Sequence, residues 1–236
     1  MLSLIRSHLL CLDFSEADNI NKIFLNLNII YKNIHENISK YIIFLIAIII
    51  WLYILHVTKK AKLPFWHFLW GSAGLFVFVF VGFKDVFTQP MANIVAALAG
   101  IIGKMTGVFE PYYKYGIIFV QSAKDSITLK IDFECSGIIE ITAFLSLLIF
   151  FSVYTKYEKI IIGCVGSMYL ILANALRITL ICFIIHFKGV DYYYISHALI
   201  GRIFFYFLSV MLYFYVFTKA QIIRQKVGGF GYVNNK

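Results

Sequence analysis

The chain has 236 residues, 61% of them hydrophobic, and a formal net charge of +9. Soluble domains carry about 45–50% apolar residues, whereas this chain has a mean hydropathy of +0.83 and several runs reaching the roughly 17–25 helical residues that cross a bilayer. A soluble fold is excluded, and so is a nucleic-acid footprint, because positive charge in a membrane protein marks cytoplasmic loops.

In chain order, residues 1–40 are polar and mixed in charge, with short apolar groups such as Ile23-Phe24-Leu25 between Asn and Lys. They predict an amphipathic helix at the membrane surface. The first apolar stretch is soon interrupted by Asp13, Glu16 and Asp18, so no cleavable signal peptide is expected. Residues 41–218 form the membrane domain. Its first span is expected over Tyr41 to Val57, and its second over Phe65 to Phe83, with the basic loop Lys59-Lys60-Ala61-Lys62 between them.

The run 86–108 is rich in Ala and Gly but contains Gln89, Pro90, Asn93 and Lys104. Two short strands around a turn follow, Ile117-Ile118-Phe119-Val120 and Ile127-Thr128-Leu129-Lys130-Ile131-Asp132. Then come three apolar runs: Gly137 to Val153, Ile160 to Phe187 and Ala198 to Phe217. The middle one exceeds a minimal span and must tilt or project. Residues 219–236 are a basic tail. The fold class is therefore an all-α polytopic membrane protein of about five transmembrane helices. An external amphipathic or re-entrant helix (86–108) and a hairpin-like segment complete it.

Charge sets the expected topology. With 86–108 not crossing, Lys59, Lys60 and Lys62, then Lys156 and Lys159, then the basic tail all fall on one side. That side is cytoplasmic by the positive-inside rule. The segment before Cys135 and the 188–197 loop fall on the outer side.

Four cysteines, Cys11, Cys135, Cys164 and Cys182, show no zinc-ligand spacing, and no cofactor is expected. Cys164 and Cys182 lie in an apolar run and read as small buried hydrophobes; Cys11 reads as incidental. Cys135 differs, because it stands where the polar stretch Asp132-Phe133-Glu134 meets Ser136-Gly137 and a span. Arg177 lies 17 residues beyond Ile160, roughly 25 Å along a helix. It therefore reaches the same outer depth as Cys135 and His197.

These types suit thiol chemistry. A cation or a helix N-terminus lowers a thiol pKa, His197 supplies a base and then an acid, and Arg177 can hold a thiolate or an oxyanion. Plainer roles stay open: His197 as an interfacial anchor, and Glu140 paired with Arg177 or with Arg202. A non-catalytic scaffold or assembly factor for an exported polymer, or a small transporter using Glu140, Arg177 and Arg202, also stays open.

Cys135-Ser136-Gly137-Ile138, Asn174-Ala175-Leu176-Arg177-Ile178 and His197, in this order and membrane setting, resemble the exosortase/archaeosortase family of membrane transpeptidases. The resemblance covers roughly residues 86–217, and the chain is short beside members with around eight spans. It implies that Cys135 is the nucleophile, Arg177 the family's arginine and His197 the acid/base; Ser136, Gly137 and Asn174 of the same motifs, and Glu140 and Arg202 by their depth, are candidate supporting residues. The implied partners are exported proteins bearing a C-terminal sorting signal: a short motif, a transmembrane helix and a basic cluster. The new C-terminus passes to an acceptor, for which a lipid or a polysaccharide are candidates. The expected location is the plasma membrane, with the active site on its extracytoplasmic face.

Overall fold

A computed structural model describes residues 39–122 and 125–223. The surface helix expected before residue 39, Cys11, and the tail beyond residue 223 lie outside the described residues. The chain forms two compact units, Met1–His56 and Val57–Lys236. In the first, most of helix α1 (Ser39–Lys60) is a 22-residue apolar rod, about 33 Å long and sufficient for a ~30 Å hydrocarbon core.

In the second unit, Pro64 at the first turn opens α2 (Pro64–Thr106), a favoured place for a residue with no backbone N–H to donate. The two segments expected at 65–83 and 86–108 are one unbroken helix of 43 residues, about 65 Å at 1.5 Å per residue. Pro90 lies inside it without ending it. The first twenty residues, up to Lys84 and Asp85, match a bilayer core in length. The remainder extends beyond that length.

That stretch carries Ala92, Val95, Ala96 and Ala99 on its buried face, small enough for a sheet to lie against it. Three antiparallel strands follow: β1 (Phe109–Tyr112), β2 (Ile117–Gln121) and β3 (Ser126–Lys130), in that spatial order. The sequence shows two of these. Alternation on β2 buries Ile118 and Val120 and exposes Phe119, as a sheet with one covered face requires.

Helix α3 (Ile138–Phe150) has 13 residues and is about 20 Å long, shorter than the expected span of 137–153. Helix α4 (Lys156–Lys188) starts with a capping box, Thr155 and Glu158 each satisfying the other's backbone N–H. At 33 residues it is longer than a minimal span. Its end places Ile178, Ile181, Cys182 and Ile185 in one core with α2 and the sheet. Helix α5 (Val190–Ile223) is interrupted by wide turns at Ser196–Ile200 and Phe214–Lys219. Among the described residues, α1, α2, α4 and α5 are long and apolar enough to cross a membrane.

A second core joins α3, α4 and α5 around Phe144, Leu148 and Leu170. At Gly166 of α4 the Phe144 ring of α3 packs so closely that a Cβ would fall 2.3 Å from it. Cys164 corrects an expectation: it is exposed on α4, while Cys182 is buried. The i+1 and i+2 neighbours of a helical residue turn to other faces, so an apolar run does not bury every residue in it.

Candidate active site

Between β3 and α3 the chain makes a tight turn, Phe133–Cys135, with Asp132 extended before it. Phe133 meets Phe80 of α2 edge-on at 5.2 Å, which sets the turn at the level where α2 completes a bilayer's length. The Ser136 hydroxyl donates to the Phe133 carbonyl at 2.7 Å and tightens the turn. Gly137 then starts α3 from a left-handed conformation, φ 81°, a position glycine occupies at little cost.

Asn174 locks this turn to α4. Its Nδ2 donates to the Cys135 carbonyl at 2.7 Å, and Asn174 is fully buried. Loss of that donor would leave a buried carbonyl unpaired, at about 1–3 kcal/mol. Asn174 thus fixes the backbone of Cys135 one helical turn before Arg177 addresses the side chain.

The three residues expected to converge do so. Cys135 Sγ lies 3.0 Å from His197 Nε2, and Arg177 Nη2 donates to the same sulfur at 3.8 Å. His197 sits in the wide turn Ser196–Ile200 of α5, a distortion frequent at functional sites. Tyr193 stacks on its ring at 5.5 Å, and Ser196 Oγ donates to the Tyr192 carbonyl at 2.7 Å. Arg177 is 4% exposed, and its guanidinium carbon lies 5.7 Å from the centre of the Phe205 ring.

Electrostatics correct one expectation. Burial pushes the Cys135 thiol above its ordinary value, and this outweighs the lowering by Arg177; Asp132 and Glu134 raise it further and Arg202 offsets them in part. Burial thus favours the neutral thiol over the thiolate. The nearest acceptor for the thiol proton is His197.

The anticipated pairing of Glu140 is also corrected. Arg202 Nη2 pairs with Glu134 Oε2 at 3.3 Å, on an exposed surface, where such a pair contributes little. Glu140 pairs with neither arginine: its Oε2 is buried with no hydrogen-bond partner. Among the described residues Arg177 makes no ion pair either, so it is not held there as half of a structural salt bridge.

Three contributions escaped the sequence reading. Phe205 beneath Arg177 has no signal at a separation of 28 residues. Tyr193 is legible in principle, as the i−4 neighbour of His197 on a helix. Asn174 was marked for its motif without its target. Among the described residues no three His, Cys, Asp or Glu side chains gather as a metal-binding group.

A family model described as transmembrane exosortase matches residues 26–214, beginning well before residue 86, where the sequence resemblance starts. No curated protein and no solved structure gives a match. The matched stretch covers most of the chain and contains Cys135, Arg177 and His197, so the chain belongs to the transmembrane exosortase family.

Proposed function

We propose that the protein is a membrane-embedded cysteine transpeptidase. It cleaves C-terminal sorting signals of exported proteins and transfers the new C-terminus to an acceptor through a thioester on Cys135. The observation that carries this reading is the contact of one buried thiol with both an imidazole, at 3.0 Å, and an unpaired arginine, at 3.8 Å.

In the first half-reaction the Cys135 sulfur attacks the scissile carbonyl while His197 Nε2 takes the thiol proton. The backbone N–H groups of Cys135 and Ser136 are committed to the turn, at 2.9 and 3.3 Å. Negative charge developing on the carbonyl oxygen is therefore met by Arg177. Collapse breaks the C–N bond, and the leaving amine receives the proton from His197. In the second half-reaction His197 deprotonates the acceptor nucleophile, which attacks the thioester. The thiol is released and recovers its proton. Water in place of the acceptor gives hydrolysis. The basic loops lie opposite Cys135 along the helices, which supports an extracytoplasmic site in the plasma membrane.

The pH dependence of Cys135 alkylation by a membrane-impermeant reagent tests this proton inventory. The thiol is raised by burial, so the rate climbs with pH through a midpoint above that of an ordinary thiol. Arg177→Met moves the midpoint further up, because the largest lowering influence is gone. Asp132→Asn moves it down. A wild-type midpoint below the ordinary thiol range would mean a preformed thiolate–imidazolium pair and would contradict proton transfer during attack.

A further inference from the structure

Beside the thiol, a cleft of about 210 Å³ opens between α3, α4 and α5, walled by Phe133, Ile139, Phe205 and Tyr206. Glu140 and Arg177 line it, together with the exposed Glu134–Arg202 pair. The formal charges balance, two acidic against two basic, so the cleft favours neither an anion nor a cation.

Its polar atoms are unevenly satisfied. Glu134 and Arg202 engage each other, whereas Glu140 Oε2 and Arg177 Nε are both buried without a partner. One is an acceptor and the other a donor. They stand in one cleft too far apart to form an ion pair with each other. Leaving both unmet is costly, the more so for charged groups, and a ligand with complementary groups would recover that cost. A neutral group offering one N–H and one C=O on opposite edges is a trans amide.

We propose that this cleft is a subsite for an amide of the peptide substrate, a backbone peptide unit one residue from the scissile bond. Glu140 accepts its N–H, and Arg177 Nε donates to its C=O. The inference rests on Cys135 being the acyl-forming nucleophile, because Arg177 joins the two places: its Nη2 donates to the sulfur, and the same side chain lines the cleft. Glu140 is then a specificity-determining residue.

Alkylation of the full-length protein in lipid nanodiscs tests it with two small electrophiles. Bromoacetyl-alanine amide carries a terminal carboxamide one residue from the reactive carbon, and bromoacetyl-alanine methyl ester lacks its N–H. The amide is expected to modify Cys135 about tenfold faster than the ester, the value of one net hydrogen bond to a charged acceptor. Glu140→Leu should bring that ratio close to one. Any change in thiol reactivity caused by removing the Glu140 charge cancels in the ratio. The rate with methyl methanethiosulfonate, which has no amide, reports separately that the thiol of the variant is intact.

An equal rate for amide and ester in wild type, or an unchanged preference in Glu140→Leu, overturns the subsite while leaving the nucleophile in place. Failure of every reagent to modify Cys135 in wild type overturns the nucleophile and the subsite together. If Glu140→Leu does not insert, Glu140→Met repeats the comparison with an unbranched apolar side chain.

Discussion

Cys135→Ala leaves precursor proteins uncleaved in the membrane, with turnover reduced by a factor on the order of 10⁴ or more, as for other nucleophile deletions. The fold is expected to survive the change. Asn174 bonds to the backbone carbonyl of residue 135 rather than to the sulfur, so alanine keeps the lock between the turn and α4. The lost packing is that of one sulfur atom, in a side chain already 6% exposed. Cys135→Ser is almost as severe. A hydroxyl is a weaker nucleophile than a thiol, and its shorter bond withdraws the attacking atom from an imidazole placed 3.0 Å from sulfur. The measurement is the ratio of precursor to processed substrate in membranes, with the amount of inserted protein determined alongside. Normal processing in Cys135→Ala would favour a scaffold or a transporter, since neither needs this thiol.

The second large effect belongs to Arg177. Arg177→Met should lower the rate of acyl-enzyme formation about 10²–10³-fold, the usual consequence of removing one oxyanion donor. The amides of Cys135 and Ser136 do not replace it, because they are already occupied in the turn. Arg177→Lys should also be severely impaired. An ammonium is a point charge without the planar fork that reaches the sulfur with one nitrogen and the cleft with another. Stability separates this from misfolding. Arg177 is buried without an ion pair among the described residues, and replacing a buried charge by an apolar side chain is often neutral or stabilising. Single-turnover kinetics on Arg177→Met, beside its thermal midpoint in detergent, check both parts. Wild-type turnover in Arg177→Lys would reduce the residue to a charge.

Much of this was legible in the sequence because membranes impose simple constraints. Length and apolarity located the helices, and the step from Asp132-Phe133-Glu134 to Ser136-Gly137 placed Cys135 at a helix head. Counting residues from Ile160 put Arg177 at the matching depth. The rest was hidden for physical reasons. Pro90 argues for a break, since it removes one helical hydrogen bond; yet α2 continues because the sheet and α4 pack along it past that point. Pro111 argues against a strand at Phe109–Tyr112, but β1 is an edge strand with a partner only on the β2 side, where proline is tolerated. The partner of Arg202 turned on side-chain reach. Glu134, on the turn, is nearer to it than Glu140 on α3, and helical periodicity does not resolve such a difference. The elevated thiol pKa was equally out of view, because it depends on how completely α2, α4 and the sheet enclose Cys135.

The most direct test is the mass of the enzyme caught during turnover with a substrate bearing a C-terminal apolar helix and basic cluster. The account predicts a covalent adduct equal to the substrate's N-terminal portion on the peptide containing Cys135, released by hydroxylamine and absent from Cys135→Ala. Processing that continues with no adduct on Cys135, or with the adduct on another residue, would contradict it.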